Sequence, residues 1–135
     1  MRHMAPRRSG VVIFLGATPA LGGAPFIAGA SAGLAAIDGL TRCLATEWSP
    51  MGIRVVCVRP SGLTDTRRIH ELWATMAKAA GVPKEALLQA AAEKTLLKRL
   101  PTVPEIAELI AFVASERAST LTGTIVNASC GEVLD

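Results

Sequence analysis

Gly29-Ala-Ser-Ala-Gly33 sets a serine between two glycines in the G-x-S-x-G order of a nucleophile elbow. A hydroxyl exposed on a sharp strand-to-helix turn could attack an acyl carbon, and Asp65 and His70 follow Ser31 in the order a triad would need. Ser31 stands well past the nearest strand, however, and small residues there more simply allow close helix packing. A second stretch, GVVIFLGATPALGG (Gly10 to Gly23), runs a β-branched segment into a glycine-bearing turn, as where a backbone must approach a pyrophosphate. Pro19, Pro25 and Gly29 oppose a continuous helix there. The next strand, ending in CVRP, offers Arg59 and Pro60 where an acid for a ribose hydroxyl would stand. A third stretch, PSGLTDT (Pro60 to Thr66), places Thr64 and Thr66 beside a glycine, where they could meet a ligand or serve as ordinary turn residues. Cys43, Cys57 and Cys130 are scattered with no C-x-x-C pair, and His3 and His70 are the only histidines, so no metal-ligand spacing is expected.

The rest of the composition narrows the class. A chain of 135 residues reads as a single domain, 1–135. With 50% hydrophobic and 19% charged residues it is expected to be globular. No apolar run approaches the roughly 20 residues of a membrane helix. VVIFL before Gly16 is too short for a signal-peptide core, so a cytoplasmic chain with reduced thiols is expected, without a membrane partner. The net charge of +3 is spread over small basic groups, and aromatics make up only 4% with no tyrosine. Neither a basic face nor a stacking platform is present, so no nucleic-acid partner is expected.

These residues need elements to hold them. Val11 to Leu15 reads as a strand. ASAGLAAIDGLTRCLATEW (Ala30 to Trp48) has helical spacing at Leu34, Ile37, Leu44 and Trp48, and it is apolar nearly all round, as for a helix covered on two sides. Pro50 and Gly52 end it. IRVVCVRP is a strand covered on both faces. RRIHELWATMAKAA reads as a helix stopped at Gly81, and Pro83 opens the next, PKEALLQAAAEK. Thr102 and Glu105 have capping-box spacing ahead of EIAELIAFVASE, and Gly123 leads into a last strand, TIVNAS. The order predicts parallel strands near 11–16, 53–59 and 123–128, with helices near 31–48, 66–79, 84–94 and 104–115.

AAIDGLTRCLATEWSPMGIRVVCVRPSG (Ala35 to Gly62) and TLLKRLPTVPEIAELIAFVASERASTLTGTIVNASCGEVLD together resemble the second half of the short-chain dehydrogenases/reductases. The resemblance implies an α/β, partial Rossmann-like fold of three layers with a short parallel sheet, lacking the N-terminal half. On this alignment Val11 to Leu15 is the family's fifth strand, and Ala20 stands where its glycine loop needs glycine, so the cofactor loop is expected to be missing. The family's catalytic Ser, Tyr and Lys fall at Ala17, Ala30 and Leu34, which carry no titratable group or side-chain donor. Its cofactor loop after the next strand is similar to Pro60, Gly62, Thr64 and Thr66, with Ser61 replacing a glycine and Thr66 one residue late.

The resemblance thus implies an oxidoreductase-like chain that is catalytically inactive as written, either a partner or ligand-binding subunit or a truncated gene product. The alternatives are a piece of a full-length NAD- or NADP-dependent enzyme with an unconventional proton donor, and a serine hydrolase using Ser31. No cofactor is expected for the chain alone, and NAD or NADP only for a full-length form. A homo-oligomer, or pairing with a similar chain, is expected through helix 30–48.

Overall fold

A computed structural model describes residues 2–23 and 25–134. Seven principal elements follow one another: β1 (Gly10–Leu15), α1 (Ala28–Trp48), β2 (Ile53–Pro60), α2 (Arg67–Ala80), α3 (Lys84–Lys94), α4 (Val103–Ala114) and β3 (Thr124–Ala128). Short 3-10 turns at Thr18–Ala20, Ser49–Met51 and Glu116–Ala118 join them. The strands form one parallel sheet in the order β1-β2-β3, with Gly10 opposite Ile53, Leu15 opposite Val58, and Val56 opposite Thr124.

Central position explains the composition of β2. Both its edges are hydrogen-bonded and both faces covered, so seven of its eight residues are buried. Alternation then splits the strand between two layers. Val56 and Val58 pack with Ile106 and Val113 of α4, joined by Ile13, Leu109 and Val126. Arg59, of opposite parity, reaches Asp38 of α1. α1 and α4 therefore lie on opposite faces of the sheet, giving three layers.

Local chemistry sets the helix ends. α4 opens with a complete capping box: the Thr102 hydroxyl accepts from the Glu105 amide, and the Glu105 carboxylate accepts from the Thr102 amide. The Arg99 guanidinium joins that carboxylate, and together these donors hold the Glu105 carboxyl down at about 2. Asp65 adds a second cap, its carboxylate accepting from the Val103 amide at 2.9 Å. The carboxyl end of α4 is closed from the sheet, where Arg54 donates to the Val113 and Ser115 carbonyls at 2.9 and 3.0 Å. α2 stops at Gly81 in the left-handed region (φ 67°), whose amide donates to the Ala77 and Lys78 carbonyls.

The strand and helix positions agree with the sequence pattern, with Pro83 just outside α3 rather than within it. One fold expectation is corrected. Lack of the N-terminal half, and with it of any strand–glycine turn–helix unit, does not hold. β1 leaves through Gly16 into the 3-10 turn and then the 21-residue α1. Pro19 and Pro25 do not forbid this arrangement. Pro19 sits in the opening turn of the 3-10 segment, where a missing amide hydrogen costs nothing, and α1 simply starts later, at Ala28.

Candidate functional site

In parallel α/β sheets, ligands bind outside the carboxyl ends of the strands. Here β1 and β2 run side by side and release two loops at that end, residues 16–27 and 61–66. Their bases are locked together, since the Gly16 amide donates to the Val58 carbonyl at 2.8 Å. Gly16 has to be small: a Cβ there would stand 2.9 Å from the Cys57 sulfur. Burial in turn pushes the Cys57 thiol pKa up, helped by the nearby Asp38 charge.

The first loop turns tightly, with the Ala20 and Leu21 amides donating to the Ala17 and Thr18 carbonyls. Gly22 and Gly23 follow in open space, with nothing within 4 Å of where a side chain would begin. The Thr18 hydroxyl donates to the Glu132 carboxylate at 2.9 Å, tying this loop to the segment after β3.

In the second loop, Pro60 ends β2 opposite Ala128, and Ser61 is 3% exposed with a hydroxyl that has no hydrogen-bond partner among the described residues. Gly62 lies against Trp73, whose indole nitrogen would be 3.4 Å from a Cβ. Thr66 is turned inward, its amide and hydroxyl both donating to the Leu63 carbonyl at 3.1 and 2.9 Å. Thr64 is half-buried and lines a shallow cleft with Gln89, Lys98 and Arg99.

Ala17 lies in the first loop, Ala30 is exposed in the first turn of α1, and Leu34 is half-buried one turn on. Behind them is an ion pair that the apolar reading of α1 missed. Arg59 donates to Asp38, with side chains 5% and 11% exposed. The signal available was an acid in the middle of α1 and an arginine next to the carboxyl end of β2. The structure does not bring the hydrolase residues together. Ser31 lies within α1, its amide donating to the Ile27 carbonyl, with the 3-10 turn between it and β1. Asp65 is occupied in capping α4, and His70 lies 3.2 Å from the Lys84 amine. Among the described residues, no three of His, Cys, Asp and Glu are grouped to hold a metal ion, and no helix is long and apolar enough to cross a membrane.

Residues 1–132 match the sequence family described as enoyl-(acyl carrier protein) reductase. The chain is 33% identical over 122 residues to the peroxisomal 2,4-dienoyl-CoA reductase of Danio rerio, covering 90% of this chain and 38% of that protein. It is 33% identical over 130 residues to the short-chain reductase protein NovJ of Streptomyces niveus, covering 96% and 47% respectively. In three dimensions it resembles sorbitol-6-phosphate 2-dehydrogenase SrlD from Erwinia amylovora, with a TM-score of 0.91 at 24% identity, over 99% of this chain and 53% of that one. The chain thus spans about half or less of the length of these relatives.

These findings correct the remaining expectations. Confinement to the C-terminal half of the family fold and a missing glycine-bearing loop, on which the inactive or truncated product rested in part, are set aside. The β1–loop–α1 unit starting at Gly10 is in place, and nearly the whole chain superposes on NAD(P)-binding folds such as an actinorhodin polyketide ketoreductase with NADPH and an NAD+-bound xylitol dehydrogenase. The expectation of no cofactor for the chain alone is corrected by the same superpositions, at TM-scores of 0.85 and 0.87. Ala20 takes the place of glycine without loss of the turn, because the loop closes through backbone bonds to the Ala17 and Thr18 carbonyls and keeps its open glycines further on.

Proposed function

Because the chain belongs to the enoyl-(acyl carrier protein) reductase family of the short-chain dehydrogenase/reductase superfamily, we propose that it binds a nicotinamide dinucleotide across the carboxyl ends of β1 and β2 and serves oxidoreductase chemistry there. The observation that carries this reading is the pairing of β1 with β2, which places two glycine-bearing loops side by side at the ligand end of the sheet. The residues fit such a ligand. Gly22 and Gly23 leave the backbone open to close approach, and the buried, unpartnered Ser61 hydroxyl is a donor at the base of the second loop. Pro60 and Gly62 shape that loop, with Thr64 the freer hydroxyl and Thr66 holding the turn. When bound, the dinucleotide would supply or accept a hydride. Ala17, Ala30 and Leu34 cannot move a proton, and no tyrosine occurs in the chain, so any proton transfer here uses another group.

Fluorescence titration with NADH and NADPH tests the reading, with Trp73 beside Gly62 as an internal reporter. A micromolar dissociation constant, about 8 kcal/mol, is expected for at least one of them. Millimolar or weaker binding of both would reject it.

The same reading includes self-association through α1. Ala35 and Cys43 are exposed, Leu40 is 45% exposed, and open space surrounds Gly39. Replacing Gly39 with Glu would bury an unpaired charge in such an interface. Sedimentation velocity should show dimer association weakened by about tenfold or more, each tenfold being about 1.4 kcal/mol. An unchanged distribution would remove α1 from the interface.

A further inference from the structure

We propose that Glu132 is a built-in competitor for anionic ligands at the β1 loop, clamping the segment after β3 over the site until a ligand displaces it. The inference rests on the reading of that loop as a dinucleotide site. Of the eight residues Gly16 to Gly23, Thr18 alone carries a polar side chain. Its hydroxyl is already used, donating to the Glu132 carboxylate at 2.9 Å across 114 positions of sequence. A carboxylate oxygen therefore occupies the place where an oxygen of a phosphate would take that hydrogen bond, and its charge repels an incoming anion.

The segment carrying Glu132 is fastened as a strap rather than left as a tail. The Asn127 amide nitrogen donates to the Val133 carbonyl at 2.8 Å, and the Glu132 amide donates to the Ser129 carbonyl at 3.2 Å. On its other side, the Leu97 amide donates to the Cys130 carbonyl at 3.1 Å. Cys130 and Gly131 are both left-handed (φ 57° and 78°), a conformation a cysteine adopts only when its surroundings impose it. The strap thus joins the β1 loop to the link between α3 and α4 through one strained turn. Releasing the Thr18–Glu132 bond frees its end without unpairing a strand. Ligand and strap then exclude each other, and each weakens the other by the same factor.

Calorimetry of the full chain with NADH and with inorganic pyrophosphate, on wild type, Glu132→Gln and Glu132→Ala, tests the proposal. Both variants change an exposed residue, so the fold is retained. Glu132→Ala should bind NADH at least tenfold more tightly than wild type. Glu132→Gln, which keeps an acceptor for Thr18 but loses the charge, should fall between. Hydrogen exchange of residues 129–134 should rise when wild type is saturated with NADH. Equal affinities in all three proteins, or a strap that stays protected in the loaded state, would overturn the clamp while leaving the dinucleotide site standing. If no protein binds NADH or NADPH but the variants gain pyrophosphate binding, the dinucleotide reading fails and the clamp stands as an anion competitor. If the variants bind neither NADH nor pyrophosphate, the clamp falls as well.

Discussion

Replacing Asp38 with alanine is expected to destabilise the fold by about 3–5 kcal/mol, the cost of removing one partner from a buried ion pair. Asp38 is 7% exposed and Arg59 4%, and the guanidinium donates directly to the carboxylate. The substitution removes the carboxylate that the Arg59 guanidinium donates to and keeps the arginine at the end of a strand buried on both faces. Asp38→Asn keeps a hydrogen-bond acceptor and should cost less, which separates the charge from the contact. Replacing both residues with apolar ones of similar volume should recover much of the loss, because the pair's own desolvation penalty also disappears. Urea unfolding of the four proteins gives the comparison. A loss below about 1 kcal/mol for Asp38→Ala would show that the arginine finds other compensation.

The pair also marks how far the sequence could be read. Periodicity and punctuation located the strands and helices: β-branched runs for β1 and β2, Gly81 for the end of α2, Thr102 and Glu105 for the start of α4. Such signals lie within a few residues of one another. The contacts that organise the ligand end do not. Asp38 meets Arg59 across 21 positions, and Thr18 meets Glu132 across 114. Neither has a local pattern, because the parallel register, not the intervening sequence, brings the groups together. The first loop failed differently. The family pattern asks for glycine at position 20, whereas the chain closes the turn with amides at Ala20 and Leu21 that any residue but proline could donate. The hydroxyl motif around Ser31 is legible and its distance from the strand already argues against a nucleophile, since G-x-S-x-G carries its chemistry only at a strand-to-helix elbow, and here it lies inside a helix.

Position 52 should be as intolerant as position 39 is permissive, although both are glycines attached to or within the same helix–turn unit. Gly52 caps the 3-10 turn after α1 with φ 74°, where an L side chain crowds its own backbone by about 1–2 kcal/mol. A Cβ there would also stand 2.1 Å from the Arg8 carbonyl oxygen and 2.8 Å from its carbon. Those are backbone atoms, so no rotamer change relieves the clash. The chain entering β1 would have to move, although the adjacent Gly10 is held in register opposite Ile53 and Arg8 itself is fastened through its guanidinium to the Pro50 carbonyl at 2.8 Å. Gly52→Ala should therefore cost on the order of 3 kcal/mol, combining the left-handed backbone with forced displacement of a packed neighbour. Gly39→Ala is the control. It lies inside α1 with nothing within 4 Å of the new methyl, and helix propensity alone should make it stabilising by about 0.5–1 kcal/mol. Denaturant melts of the two alanine variants should move in opposite directions. If Gly52→Ala is neutral, the segment before β1 does not pack on the α1–β2 turn in solution, and the register of β1 is set by its pairing with β2 alone.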